Sequence, residues 1–179
     1  MNATTTHAND ASRNALPVHA AGTPGGEFLT FALSAEEYGV DILKVQEIRG
    51  YEKVTPIPAA PAYLKGVINL RGIIVPVIDL RIKFGLADPK YDSFTVVIIL
   101  RLASRVIGMV VDGVSDVVAL APSEVKPAPQ LGSLVDSSFL AGLATQSERM
   151  VLLLDIEKFL SSAELNLLGQ AVDTAKATA

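Results

Sequence analysis

The sequence predicts a mainly β protein built as two similar lobes, and three observations carry that prediction. Short runs rich in Val, Ile and Leu follow one another, separated by Gly, Pro, Asn and Asp turn signals. The two halves echo each other: Gly39, Val45, Glu47 and Ile48 recur in order as Gly108, Val114, Asp116 and Val117, and VPVIDLRIKF (75–84) recurs as VLLLDIEKFL (151–160). Half of the 179 residues are hydrophobic, enough for a sizeable core. Two β-barrels of about five strands each, side by side, would satisfy both copies, because closure removes exposed sheet edges.

The elements follow from local pattern. Residues 1–26 are rich in Ala, Thr, Asn, Pro and Gly without period and read as a disordered tail. Residues 28–33, a turn at 34–37 and a return strand at 38–41 form a hairpin, followed by a helical turn around 42–48. A second hairpin runs from 66–70 through Arg71-Gly72 to 73–78, where Pro76 points to an edge or bulge because proline donates no ladder hydrogen bond. Asp79 is placed to cap a short helix at 80–84.

Residues 94–102 and 106–111 form a pair joined by a turn at 103–105, apolar on both faces and so buried on both. A strand at 115–120, a proline-punctuated loop at 122–129 and strands at 139–144 and 150–154 complete the second half. Asp155 caps a final amphipathic helix at 156–168, with Ile156, Phe159, Leu160, Leu165 and Leu168 facing the core. The domain layout is thus a tail at 1–26, a folded unit at 27–169 with lobes at roughly 27–93 and 94–169, and a disordered end at 170–179.

Composition excludes several classes of function. A net charge of −4 with Lys and Arg dispersed argues against nucleic acid, which calls for a basic stripe. The longest apolar runs, such as 96–100 and 150–154, fall far short of the roughly 18 residues a membrane span needs, so no direct membrane insertion is expected. The N-terminal stretch lacks the basic and apolar regions of a secretory signal, which places the protein in the cytoplasm. Zero cysteines rule out disulfides, thiolate metal sites and thiol nucleophiles.

Catalytic readings fail in turn. No phosphate loop, nucleophile elbow, zinc-protease or dinucleotide motif occurs, and both histidines, His7 and His19, lie in the tail. Asp79 and Asp155 occupy equivalent repeat positions and could form a carboxylate pair for acid–base work, as in a hydrolase, or line a small-molecule-binding barrel; helix capping accounts for both more simply. Asp112, Asp116 and Asp136 are too widely spaced for a metal loop and read as solvated; no metal or other cofactor is expected. What remains is the segment 37–83, where Glu47, Lys65 and Arg71 sit among Val45, Ile48 and Ile68, the mixture of apolar anchors and fixed charges found where proteins dock. Arg71, at a hairpin turn, can present its fork of donors to a partner, form a solvated turn residue, or pair internally with Glu47.

The same residues carry a family resemblance. EYGVDILKVQEIRGYEKV, LKGVINLRGIIVPVIDLRIKFG, TVVII, RVIGMVVDGVSDVV and RMVLLLDIEKFL resemble the CheW family of chemotaxis coupling proteins, in matching order from about residue 27 to 168; the NLRG turn and VDGVSDV are its most specific parts. The resemblance implies two five-stranded SH3-like β-barrels on a shared core, with short helices and a C-terminal helix. It also implies a non-enzymatic adaptor joining the cytoplasmic helical tip of methyl-accepting chemotaxis receptors to the regulatory domain of the histidine kinase CheA, recruited to membrane-associated receptor arrays. By the resemblance, Val45, Glu47, Ile48, Lys65, Gly66, Arg71, Val96 and Val117 form the receptor-binding groove, and Lys126, Gln130 and Leu131 of KPAPQL contribute to a kinase contact. Because related domains occur at the end of the kinase and fused to receiver domains, a piece of a longer protein is the nearest alternative. The absence of a phosphotransfer histidine, an ATP-binding motif and a receiver-like acidic cluster, with chain ends that read as natural, favours a free-standing adaptor.

Overall fold

A computed structural model describes residues 25–86, 88–103, 105–129 and 138–177. The chain forms β1 (Gly26–Leu33), β2 (Glu36–Asp41), a 3-10 turn (Ile42–Lys44), β3 (Val45–Gly50), β4 (Leu64–Leu70) and β5 (Ile73–Asp79), ending in the one-turn helix α1 (Leu80–Lys83). It continues through β6 (Val96–Leu102), β7 (Arg105–Val111), β8 (Gly113–Leu120), a 3-10 turn (Pro122–Glu124), β9 (Leu140–Gln146), β10 (Arg149–Leu154), α2 (Ile156–Phe159) and α3 (Ser162–Ala177).

The strands assemble into two five-stranded sheets, a first in the order β8-β1-β2-β10-β9 and a second in the order β3-β6-β7-β5-β4. The mainly β, two-lobed class is therefore as the sequence implies. The two orders are the same pattern written in the two repeats, but the lobes are not divided at residues 93 and 94. Each repeat places strands in both sheets: the β1–β2 hairpin joins strands β8–β10, and the β6–β7 hairpin joins β3–β5. The chain crosses from the first sheet to the second after β2 and returns after β7, so neither repeat can complete its own lobe.

The exchange explains the doubly apolar strands. On β6, Val97 and Ile99 turn into the interior of the second lobe with Leu70, Val75, Val77 and Val110, while Ile98 and Leu100 face the opposite way. There they join Leu29, Phe31 and Leu33 of β1 and Leu80, Ile156 and Leu168 of the helices in a core shared by both sheets. A third cluster, including Phe28, Val118, Val151 and Leu153, fills the first lobe. Strand alternation with both faces buried thus serves two cores at once. Each lobe also has one parallel pair, β2 with β10 and β5 with β7, and the repeated glycine lies in it; a Cβ on Gly39 or Gly108 would stand 2.9 Å from Leu153 or Val97.

Several boundaries differ from expectation. The helical turn after β2 ends at Lys44, and Val45–Gly50 is strand paired with β6, in which partly buried Val45, Glu47 and Arg49 alternate with exposed Gln46, Ile48 and Gly50. The single final helix is two, broken at Leu160–Ser161, where Ser161 and Glu164 exchange backbone and side-chain bonds in a capping box. The end expected to be disordered from residue 170 is helical to Ala177, anchored by Leu168 and Ala171 in the shared core. Arg105 on β7 donates to the Leu165 carbonyl at 2.5 Å, and Lys83 pairs with Glu164, fixing α3 beside α1. No helix among the described residues is long and apolar enough to cross a membrane.

Candidate docking site

The β4–β5 turn places Arg71 where the sequence put it, at the tip of a two-residue hairpin. Arg71 and Gly72 have φ values of 52° and 88°, the left-handed pair of a type I′ turn, and the Asn69 side chain accepts from the Gly72 N–H at 2.7 Å. The Arg71 guanidinium, two-thirds exposed, donates to Glu47 Oε2 at 2.6 Å; Arg49 approaches the other carboxylate oxygen at 3.9 Å. Of the alternatives open for Arg71, the internal pair with Glu47 is thus formed, and it leaves one flank of the guanidinium facing solvent. An exposed pair of this kind contributes little stability, about 0–1 kcal/mol, so it organises the surface more than it holds the fold.

The other candidates separate into distinct settings. Ile48 is exposed on β3, and Val117 is exposed on β8 in the other sheet. Val45 and Val96 are half-buried against the shared core, which makes them floor rather than contact. Lys65 extends over the Tyr91 ring, its Nζ 5.1 Å from the centroid, away from the Glu47–Arg71 pair. Gly66 has a backbone reason for being glycine: its φ is +145°, and a Cβ would run into the Thr55 carbonyl. Lys126 pairs its backbone with Leu143 in an isolated bridge and is exposed, whereas Gln130 and Leu131 lie outside the described residues, as do His7, His19 and Asp136.

A buried charge cluster at the other end of β5 from the Arg71 turn was not anticipated. Asp79 caps α1, its Oδ1 accepting from the Arg81 N–H at 3.0 Å, as capping predicts. The same carboxylate also accepts from Arg81 Nε at 3.0 Å and Nη2 at 2.8 Å, and from the Tyr91 hydroxyl at 2.7 Å. Arg81 Nη1 continues to the Lys90 carbonyl at 2.7 Å and to Asp112 Oδ1 at 2.8 Å. Asp112 is therefore an ion-pair partner and not merely solvated, because the chain crossing after β7 sets it over α1. Burial alone would raise the Asp79 carboxyl, but the Arg81 and Tyr91 hydrogen bonds and the Arg81 charge outweigh it and hold the group below the usual range. Burial and then the bond to Asp79 push the Tyr91 phenol up. Asp155 caps α2 through the Lys158 N–H at 3.2 Å and lies in a separate helix start, so each aspartate is occupied by its own cap.

A two-lobed β fold carrying an exposed charge pair and apolar strand residues defines a docking scaffold. Residues 27–164 match the CheW-like domain. The chain is 55% identical to the chemotaxis protein CheW of Klebsiella aerogenes over 81% of this chain and 87% of that protein. It is 36% identical to CheW of Rhizobium meliloti over 78% and 90% of the two chains. The crystal structure of the scaffolding protein TtCheW from Thermoanaerobacter tengcongensis superposes with a TM-score of 0.71 at 29% identity, covering 78% of this chain and 90% of that one. The chain belongs to the CheW-like family. That membership makes it a chemotaxis scaffold rather than an enzyme.

Proposed function

We propose that this chain couples methyl-accepting chemotaxis receptors to the histidine kinase CheA, docking the receptor's helical tip and the kinase regulatory domain on separate surfaces and so joining membrane-associated receptor arrays. The observation that carries this reading is the ion pair between Arg71, exposed at the β4–β5 hairpin tip, and Glu47, partly exposed on β3, where the next residue, Ile48, is exposed. Its fixed charges can set the register of a helix, and the apolar strand residues can take the helix's apolar face. Val45, Lys65, Gly66, Val96 and Val117 shape or border that surface on this reading. Lys126, Gln130 and Leu131 belong to the kinase contact.

The test is reciprocal. Arg71→Glu sets a carboxylate against Glu47 and against any acidic partner group. It is expected to weaken receptor-tip binding at least tenfold (about 1.4 kcal/mol) while leaving kinase-domain binding and the melting temperature nearly unchanged. Leu131→Asp is expected to do the reverse, since a charge desolvated in an interface is costly. Loss of both partners in either folded variant would show overlapping surfaces and end the bridge reading.

A further inference from the structure

The chain passes between the sheets at two crossings, and both are spanned by an ion pair from the same repeat position with opposite polarity. Arg81 and Glu157 are each the second residue after a capping aspartate, Asp79 and Asp155. Arg81 reaches Asp112, between β7 and β8; Glu157 reaches Lys44, between β2 and β3, at 3.3 Å. The two fastenings are unequal. At the first, Arg81 is 2% and Asp112 36% exposed, Asp112 Oδ2 also accepts from the Ser34 N–H at 2.6 Å, and the Asp112 N–H donates to the Ala32 carbonyl at 3.1 Å. At the second, Lys44 and Glu157 are 28% and 45% exposed, and the bond that the Leu43 N–H donates to the Asp41 carboxylate is local to its own turn.

The weaker fastening lies at the root of β3. Lys44 immediately precedes Val45, and the pairing of β3 with β6 shifts register between Val45 and Glu47. A shift there changes which face the following residues occupy. We propose that Lys44 and Glu157 are positioning residues: their ion pair holds the start of β3 against α2 and thereby sets how Glu47 and Ile48 are presented to a partner. The Arg81–Asp112 crossing is the fixed side of the same frame. This inference rests on the reading of β3 as partner-facing.

Charge exchange tests it in the full-length protein. Lys44→Glu and Glu157→Lys should each raise amide-exchange rates across Val45–Gly50 about two- to fivefold, the range an exposed pair supports, and weaken binding of a receptor-tip helical hairpin by a similar factor. The double variant Lys44→Glu/Glu157→Lys, which restores an ion pair of reversed polarity, should return both to the parent values. Unchanged exchange in the single variants, or no rescue in the double, overturns the proposal. Altered exchange with unaltered receptor affinity also overturns it if Arg71→Glu weakens that binding. If Arg71→Glu leaves the binding intact as well, the receptor-site assignment fails, and rescued exchange still supports Lys44 and Glu157 as the pair that places β3.

Discussion

Arg81→Met is expected to destabilise the protein by about 3–5 kcal/mol, the range for breaking one side of a buried ion pair. Methionine fills much of the volume but leaves the Asp79 carboxylate, fully buried, with Tyr91 and one backbone N–H as its remaining donors. It also releases Asp112 from α1, leaving Asp112 its contacts to Ser34 and Ala32. Adding Asp79→Asn keeps a capping oxygen and removes the stranded charge, so the double variant should recover a large part of the loss. Denaturant unfolding of the two variants measures this; a double variant as unstable as the sum of the single changes would show that the charge is not the cause.

The sign of the pH dependence separates the parent from Arg81→Met. In the parent, the folded Asp79 carboxyl is depressed, so its contribution is fully present above the unfolded value of about 3.9 and is lost as pH falls through the folded value. Without Arg81, burial becomes the dominant influence and raises the folded carboxyl. The variant then loses stability as pH rises from about 4, because the folded state binds the proton more tightly. The stability gap should therefore be wide near neutral pH and narrow towards pH 4. A gap that stays constant with pH would place the loss in packing.

What the sequence showed and what it hid divide along a physical line. Period-two patterning, proline and turn signals located the strands other than β3, most of which reads as a helical turn, and the internal repeat correctly paired β5–α1 with β10–α2 and β3 with β8, because these depend on local chemistry. Partner choice among strands is non-local: nothing in the residues of β2 says that the next strand leaves for the other sheet, so the lobe boundary was drawn between repeats. The doubly apolar faces of β6 and β7 were visible, but their division between two cores was not. Asp79 was legible as a cap, and its second role was signalled weakly by the repeat itself, where Arg81 in one copy takes the position of Glu157 in the other. Asp112 carried no such sign, since its role comes from where the crossing places it. At the candidate docking surface, residue types singled out Arg71, Glu47 and Ile48 as the proposed contacts, while the glycine at position 66 needed backbone geometry to explain it.

Gly66→Ala should lower the melting temperature substantially, and any loss of receptor binding should follow the loss of fold. At φ +145° an L side chain is strained, at a cost of about 1–3 kcal/mol. The new Cβ would also stand 2.7 Å from the Thr55 carbonyl carbon, and Thr55 exchanges two backbone hydrogen bonds of 2.9 Å with Val67. Relief requires moving the 55–56 backbone away from β4, which weakens bonds worth about 0.5–1.5 kcal/mol each. Gly72→Ala is the matched comparison: its φ of +88° is also unfavourable, but a Cβ there meets nothing within 4 Å, so the loss should be smaller. Thermal unfolding and receptor-tip titration of the same samples decide the role of Gly66. A Gly66→Ala protein that melts like the parent yet fails to bind would make Gly66 a direct partner contact; a protein that melts early and binds normally while folded makes it the residue that lets the 55–56 segment close against β4.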